Sequence, residues 1–423
     1  MFPIEMYSKP NIITPIPPIQ HLEYTNYLKP HPQANIVPLF RFPFRQPFQL
    51  PTMRWKKLNQ QGDVPIGRSS HTMSPIHSTH LMLWGGEQVP RSPLPGHVSL
   101  FNLATNTWTT IPSNDATTPL ARVGHTAETI ANSSSGEQVY IYGGRTEALE
   151  DSTLGDLHAF DPVRGAWRAI HPTTDFHNNN KTPLPRNYHA SCSIPHDKCF
   201  YIFGGCSGTD PDTGGTRRLN DAWRFDTTTE RWEALPVSDA IAGRGGPGFV
   251  ATEDGGSLYV IGGFTGKEAS DIHRFDVRMN TWETHISSPD HRASTPKDSG
   301  RAGFTARSVF GCGSVGRGSG EVVVFGGEMD PSELGHAGAG IFSNATFCFD
   351  PVEKKWRDCE VSTMAVVEGG EREEETAEEE VIEGRGWVAS TTIQYTSPNP
   401  TLVVSGGVTN ENKRLQDLLI LIE

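Results

Sequence analysis

Six Gly-Gly pairs, each directly after a short apolar run, constrain this 423-residue chain more than any other feature. The pairs are separated by 58, 61, 58, 64 and 80 residues, which indicates a repeat with loops of variable length. The apolar runs are rich in β-branched and aromatic residues, as buried strands are, and glycine ends such a strand. The first glycines of the pairs are Gly85, Gly143, Gly204, Gly262, Gly326 and Gly406.

A tryptophan follows each of the first five pairs, at the end of a second strand-and-turn pattern. Segments such as SLFNLATNTW and AWRFDTTTERW have alternating apolar positions and a polar turn. This pattern predicts a β-hairpin whose returning strand carries the tryptophan. A large flat side chain at this position is expected to pack between neighbouring units. The five tryptophans are Trp108, Trp167, Trp232, Trp282 and Trp356.

The two ends of the repeated region complete each other. After Gly407 the sequence runs through DLLILIE with no tryptophan strand, whereas Trp55 has no Gly-Gly pair before it. A strand near residues 53–58 is therefore predicted to be the outermost strand of the last unit, which closes the ring and leaves no open edge. The predicted fold class is all-β, a six-bladed β-propeller over residues 51–423.

Two segments lie outside the repeat. Residues 1–50 contain ten prolines and are predicted to be an extended or disordered lead-in. The stretch from Glu368 to Glu383 has nine glutamates and one arginine, and it predicts an acidic disordered loop at about residues 362–384. This stretch carries a charge of -8 out of a net -13, so the rest of the chain, at -5, is only mildly acidic.

Composition and the N-terminal sequence also limit the expected partners and the expected location. A mildly acidic body argues against nucleic-acid binding, and no apolar run approaches the roughly 20 residues that span a bilayer. The first residues lack a basic segment followed by an apolar core, so no secretory signal is predicted and the expected location is the cytoplasm or the nucleus. Six cysteines without a CxxC pair predict reduced, mostly buried thiols.

An arginine precedes every Gly-Gly pair, and three of these arginines begin an R-x-x-H motif. Guanidinium groups bind carboxylate, sulfate or phosphate through paired donors, so a ring of them at a channel mouth predicts an anion site. The alternative is that they bridge neighbouring blades through backbone carbonyls. The six are Arg68, Arg122, Arg186, Arg244, Arg301 and Arg385, of which Arg68, Arg122 and Arg186 are the predicted ligand-binding residues.

The most unusual segment follows the fifth pair and reads GGEMDPSELGHAGAG. It combines several carboxylates with one imidazole on a turn that has almost no bulk. These groups are the ligand set of a divalent metal such as iron, manganese or zinc, although a polar turn often contains two acids without binding anything. The predicted metal ligands are Glu328, Asp330 and His336.

The repeat resembles the kelch motif over residues 51–423. The GGEMDPSELGHAGAG segment resembles a loop of the nitrile-specifier, epithiospecifier and thiocyanate-forming proteins, kelch propellers that redirect the breakdown of glucosinolate aglucones with ferrous iron. The resemblance implies an iron site of Glu, Asp four residues later and His four beyond that. Glu328 and His336 match the outer two positions, whereas Ser332 stands at the middle one. It further implies that Arg68 is the channel-mouth arginine.

Two functional hypotheses follow. In the first, the chain is an Fe2+-dependent, lyase-like specifier protein that binds a small anionic molecule, with Arg68, Glu328 and His336 in catalytic roles. In the second, it is an interaction module, the commonest use of kelch rings, and its arginine-rich mouth binds an acidic protein partner.

Overall fold

The apolar alternation between the Gly-Gly pairs folds into six antiparallel sheets, the blades of a six-bladed β-propeller. The structure is a computed structural model that describes residues 53–113, 117–132, 136–147, 153–172, 182–286, 303–316, 320–359, 362–363, 382–395 and 399–422. The predicted lead-in lies outside these residues, as does nearly all of the predicted acidic loop. The described residues contain no α-helix, and hence no helix of membrane-spanning length and apolarity.

Each blade has four strands, numbered here from the channel outward. The strands of blade 1 are Thr72–Ile76, His80–Trp84, Val98–Asn102 and Thr107–Ile111, with Gln61–Gly62 added at its edge. Those of blade 2 are Thr126–Asn132, Gly136–Tyr142, Leu157–Asp161 and Ala166–Ile170. Those of blade 3 are Ala190–Ser193, Cys199–Phe203, Ala222–Asp226 and Arg231–Ala234.

The remaining three blades follow the same plan. The strands of blade 4 are Gly248–Ala251, Ser257–Phe264, Glu268–Asp276 and Thr281–Glu283. Those of blade 5 are Gly311–Val315, Glu321–Phe325, Thr346–Asp350 and Lys355–Asp358. Those of blade 6 are Ala389–Gln394, Pro400–Ser405, Leu418–Ile422 and Arg54–Lys57.

The predicted closure of the ring is confirmed. The strand Arg54–Lys57 pairs antiparallel with Leu418–Ile422, and Trp55 lies opposite Leu421. On its other side the closing strand pairs in parallel with Ser362–Thr363, the first residues of the predicted acidic loop. The innermost strands of the six blades contact one another in a closed circle, because the first blade and the sixth are also neighbours.

The outer-strand tryptophans pack onto the preceding blade, as predicted. The ring of Trp167 lies 5.3 Å from that of Trp84, and the ring of Trp55 lies 4.7 Å from that of Phe325. Burial of an aromatic side chain at such a contact removes a large apolar area from water. The tryptophans therefore join the separate sheets into one continuous core.

The Gly-Gly pairs connect neighbouring blades through their backbone. Gly86 has a φ of 87°, and a Cβ atom there would lie 2.6 Å from the Cβ of His71. Only glycine fits such a position without strain. The N–H of Gly86 donates to the carbonyl of Arg122 in the next blade at 3.0 Å, and the N–H of Gly407 donates to the carbonyl of Arg68 at 2.9 Å.

A second circle of hydrogen bonds surrounds one end of the channel, which we call the mouth. Six residues, one in each blade, donate their N–H to the equivalent carbonyl in the preceding blade at 2.7–3.0 Å. All six have a φ between 50° and 62°. These residues, the mouth ring, are Ser70, Gly124, Tyr188, Gly246, Val309 and Trp387.

One sequence expectation about the cysteines is wrong. Cys348 and Cys359, from the third strand of blade 5 and the residue after the fourth, form a disulfide beside Trp55. Within the described residues, the free cysteines are Cys192, Cys199, Cys206 and Cys312. Both side chains belong to one apolar cluster, and the fold, which brings their Cα atoms to 6.2 Å, joins two cysteines whose sequence interval gave no sign of a pair.

Candidate functional site: the channel mouth and its lid

Aspartates hold four of the repeat arginines. Each of these arginines donates Nη1 to the first glycine of its Gly-Gly pair, and three of them donate two bonds to one carboxylate at 2.6–2.9 Å. The pairs are Arg122–Asp156, Arg186–Asp221, Arg244–Asp271 and Arg385–Asp417. Arg122 and Arg186 are fully buried. Their guanidinium groups thus fix the interior of their own blades, and a ligand role for them stays a prediction.

The histidines of the R-x-x-H motifs link successive blades. The Nε2 atom of His125 lies 2.9 Å from the Thr72 hydroxyl, and that of His189 lies 2.8 Å from the Thr126 hydroxyl. Burial, with Arg122 adding to it, lowers the pKa of His125 to about 3. These imidazoles are therefore neutral links between the innermost strands.

Blade 5 differs from the sequence assignment. Arg307 occupies the repeat position, because its Nε donates to the carbonyl of Thr305 and its Nη1 to that of Gly326. The assignment of Arg301 to this position was wrong, and Arg301 itself lies outside the described residues. Arg307 precedes Gly326 by 19 residues, within the 17 to 21 of the other five blades, whereas Arg301 precedes it by 25, so the interval itself identifies Arg307.

Arg68 and Arg307 are the two repeat arginines without an aspartate. In blades 2, 3 and 6 the aspartate stands directly before the third strand, whereas His97 and Ala345 stand there in blades 1 and 5. Arg307 lies over the ring of Phe347 at 4.6 Å, a cation–π contact that compensates in part. Within the described part of the chain, the hydrogen-bond partners of Arg68 are the carbonyls of Ile66 and Gly85, and burial lowers its pKa to about 10.

The residue directly after each Gly-Gly pair lies at the mouth. Its backbone pairs with that of the residue directly before a mouth-ring residue. In blades 1 and 5 this residue is a buried glutamate, Glu87 at 0 % exposure and Glu328 at 7 %. The six residues are Glu87, Arg145, Cys206, Phe264, Glu328 and Val408.

A loop of blade 5 extends across the mouth. Residues 331–340, which we call the lid, join the short strands Glu328–Asp330 and Ile341–Phe342 and contain the 3-10 turn Gly335–Ala337. The Nε2 atom of His336 lies 2.5 Å from Oε1 of Glu87 in blade 1. The His336 ring also lies 5.8 Å from Tyr188 of blade 3 and 4.8 Å from Trp387 of blade 6. The lid thus joins four of the six blades.

Beneath the lid, charged and aromatic groups surround Glu87. Its Oε2 accepts the Arg91 N–H at 2.6 Å, and its charge acts on both Tyr188 and Arg414. Burial raises the pKa of the Tyr188 hydroxyl, and Glu87 raises it further. The Tyr188 and Trp387 rings meet edge to face at 5.1 Å. The centre of the mouth therefore has aromatic walls around one buried carboxylate.

Three further arginines at this end have unused hydrogen-bonding capacity. The Nε atoms of Arg145, Arg218 and Arg414 are buried and have no hydrogen-bond partner among the residues that the structure describes. Arg218 lies over the ring of Phe264 at 4.8 Å, and the charge of Arg145 acts on Tyr188. Buried donors of this kind ordinarily find partners in water or in a ligand.

Glu328 belongs to a second acidic group, between blades 4 and 5. Glu328 and Ser308 exchange both backbone hydrogen bonds, and the Ser308 hydroxyl donates to Glu268 at 3.1 Å. Directly opposed residues of an antiparallel pair extend to the same face, so the two carboxyls are neighbours. Burial is the main reason why the pKa of each carboxyl rises to about 7.

The predicted metal ligands do not meet at one point in this structure. Glu328, Asp330 and His336 do not place three ligand atoms within 4.8 Å of one another, and the Nε2 atom of His336 faces Glu87. The Ser332 hydroxyl, at the middle position of the resemblance, accepts the Leu334 N–H inside the lid. The arrangement therefore does not fit the implied iron.

Several residues of the mouth escaped the sequence interpretation. Glu87, Tyr188, Trp387 and Arg145 all lie at positions that the repeat defines, either directly after a Gly-Gly pair or two residues after the arginine. An alignment of the six repeat copies at those positions would identify these residues as candidates for the mouth. Glu268 has no such signal, because the loop before it is specific to blade 4.

The family is decided by comparison with known proteins. A family model described as the KLHDC2/KLHL20/DRC7 kelch-repeats domain matches residues 46–176 and 77–313. The chain belongs to the kelch-repeat family. This agrees with the six Gly-Gly pairs and the six-bladed ring.

Among its relatives, the kelch protein is 26 % identical to the N-(sulfonatooxy)prop-2-enimidothioate sulfolyase of Thlaspi arvense, over 86 % of this chain and 95 % of that protein. It is 27 % identical to the putative adagio-like protein 2 of Oryza sativa subsp. japonica, over 73 % and 45 %. It is 26 % identical to the Drosophila melanogaster kelch domain-containing protein 10 homolog, over 69 % and 48 %. The chain is thus related to nitrile-specifier-like proteins, and it matches about half the length of the other two.

Proposed function

We propose that this kelch protein binds a small organic oxyanion, of the sulfate-ester class, under the lid of the mouth and directs its breakdown. The observation that carries the proposal is the contact of His336 with the buried Glu87. The lid of blade 5 reaches Glu87 in blade 1 and Tyr188 in blade 3, each two blades away around the channel, and contacts charged and aromatic groups there. A cover over a polar site excludes water and strengthens the electrostatic interactions beneath it.

The arginines supply the attraction for an anion. Arg145 and Arg414 both have a buried Nε without a partner, and Arg68 is a buried arginine without a carboxylate. When a sulfate ester breaks, negative charge grows on the departing sulfate. Guanidinium groups already fixed at that point stabilise the growing charge without reorganising. Tyr188 and Trp387 would pack against the apolar part of the molecule.

The relatives support a small-molecule role. The sulfolyase of Thlaspi arvense is matched over 95 % of its length, so no further large domain distinguishes it from this chain. The adagio-like relative has more than half of its length outside the match. Because the family resemblance implies ferrous iron, the experiment includes one arm with this ion and one without it.

The test uses the compound in that relative's name, released in solution beside the purified protein, with and without ferrous iron. Chromatography of the products and measurement of free sulfate give the readout. We expect the protein to change the product mixture and Arg145→Met to reverse most of that change. Arg168→Met, on an exposed outer strand, is the matched control and should behave like the unaltered protein. A product mixture identical to that with heat-denatured protein, in both metal conditions, would refute the proposal.

A second candidate function is the binding of a protein partner, as in the interaction hypothesis. Four large apolar side chains are exposed on the mouth loops of blades 1 and 5, namely Val89, Met329, Leu334 and Ile341. With Arg145 and Arg218 nearby, this rim suits a partner surface that is apolar with acidic residues. A pull-down with Val89→Glu/Leu334→Glu should lose partners that Val163→Glu, an exposed valine of an outer turn, retains. Equal partner sets for both variants would exclude the rim.

A further inference from the structure

Blade 4 carries two imidazoles beside the aspartate that holds its arginine. The Nε2 atom of His273 lies 2.8 Å from Oδ2 of Asp271, and the rings of His273 and His285 are 4.7 Å apart. One ligand atom from each of Asp271, His273 and His285 lies within 4.8 Å of the other two. Among the described residues, no other group of three histidines, cysteines or acids comes as close.

An extra residue brings the second imidazole to this place. In blades 2 and 3 the tryptophan is followed three positions later by an apolar residue that pairs with the start of the third strand, Ile170 and Leu235. In blade 4 the interval is four, because the Ile286 N–H donates to the carbonyl of Ile272. The insertion is a β-bulge in which His285 has a φ of 52°. Bulges of this kind re-aim a side chain and occur next to functional sites.

Blade 2 is an internal comparison. Its Asp156 and His158 form the same pair at 2.8 Å, and Asp156 holds Arg122 as Asp271 holds Arg244. Blade 2 has no inserted residue, and its His171, which follows Ile170, does not form a close group of three ligands with Asp156 and His158. The aspartate–histidine pair is therefore not specific to blade 4. His285 is the residue that distinguishes blade 4 from blade 2.

We propose that Asp271, His273 and His285 bind a divalent transition-metal ion, of the zinc, cobalt or nickel class. One carboxylate and two imidazoles are a ligand set that these ions prefer, with positions left for water. His285 is exposed and Asp271 is partly exposed, so an ion can reach the group from solvent. The site is independent of the proposed function at the mouth.

The present hydrogen bonds indicate how the ion would enter. At Nε2 of His273 it takes the place of the proton shared with Asp271. That proton moves to Nδ1, which then no longer accepts the 3.3 Å bond from the His285 N–H, so the His285 backbone must turn this N–H away. The guanidinium of Arg244 beside Asp271 weakens the attraction for a cation, so we expect moderate affinity.

The test is equilibrium dialysis of the full chain against Zn2+, with Co2+ absorption spectra as a second readout. We expect one ion per chain, and a loss of affinity of about 10- to 100-fold in His285→Ala. His158→Ala removes the corresponding histidine of blade 2 and should bind like the unaltered protein. The melting temperature of each variant without metal reports whether it is folded.

Two results would overturn the proposal. One is equal zinc binding by His285→Ala and the unaltered protein. The other is zinc binding that Glu328→Gln/His336→Ala abolishes and His285→Ala leaves intact, which would assign the metal to the lid residues instead. The zinc measurement can be interpreted even if the protein does not act on an oxyanion at the mouth, because metal binding is measured directly.

Discussion

Blades 2, 3, 4 and 6 differ from blades 1 and 5 in where they place a carboxylate. In the first group an aspartate at or directly before the third strand holds the repeat arginine. In the second group that aspartate is missing, and a buried glutamate follows the Gly-Gly pair at the mouth. Blades 1 and 5 are also the two that the His336–Glu87 contact joins. The repeat thus places a carboxylate beside its arginine in four blades and at the mouth in two.

The largest expected effect breaks an arginine–aspartate pair. Asp221→Ala leaves the buried Arg186 without its carboxylate, and we expect a loss of about 2–4 kcal/mol in the free energy of unfolding. Urea denaturation followed by tryptophan fluorescence measures it. Arg68 already lacks such a partner, so Arg68→Met should cost clearly less. Similar losses for both variants would contradict the division between the two groups of blades.

The second prediction concerns the pH dependence of stability, which should have opposite signs in the two groups. Although burial raises the pKa of Asp221, the hydrogen bonds and charge of Arg186 hold it below its usual value, so its contribution is lost as pH falls. Burial raises the pKa of Glu328 to about 7, so the folded state binds more protons than the unfolded state between about pH 4.5 and 7. Its effect on stability therefore worsens as pH rises through that window.

Glu328→Gln should remove this decline, with a gain of about 1–3 kcal/mol at pH 7.5 relative to pH 4.5 when compared with the unaltered protein. Thermal unfolding at a series of pH values provides the measurement. Parallel curves for the two proteins between pH 4.5 and 7.5 would show that Glu328 is not buried in its carboxyl form.

The third prediction concerns a substitution that gives blade 1 the aspartate found in blades 2, 3, 4 and 6. His97→Asp places a carboxylate before the third strand, where it is expected to pair with Arg68 and to stabilise the fold by about 1 kcal/mol. If Arg68 also contacts the proposed oxyanion, binding should weaken in the same variant. Chemical denaturation and ligand titration separate the two effects. No change in either would mean that position 97 does not face the guanidinium.

The smallest expected effect concerns the lid. His336→Ala removes the contacts of the lid with Glu87, Tyr188 and Trp387, and because water can replace the imidazole beside Glu87 it should change the free energy of unfolding by only about 1 kcal/mol. Because the His336 ring lies against Trp387, the fluorescence of the mouth should nevertheless change. A large loss of stability would instead make the lid part of the fold.

The sequence was sufficient for the fold but only partly for the site. The number of blades and the closing strand follow from Gly-Gly pairs and from Trp55, because a ring fold requires every copy to supply the same packing. Glu87 meets His336 across 249 positions of sequence, and only the circular arrangement brings them together. The bulge at His285 and the disulfide of Cys348 likewise depend on local register, which periodicity does not report.

The mouth ring has a consequence for how such proteins diverge. Its six hydrogen bonds use backbone atoms alone, so the ring itself is compatible with several kinds of side chain. The limits are the left-handed φ at all six positions and the space at the two glycines, since a Cβ at Gly124 would lie 2.6 Å from the Tyr188 ring. Here the six residues are serine, glycine, tyrosine, glycine, valine and tryptophan. A substitution at one of these positions can alter what the channel recognises while the scaffold keeps its geometry. Relatives with about a quarter of their residues in common can thus keep one architecture and acquire different specificities.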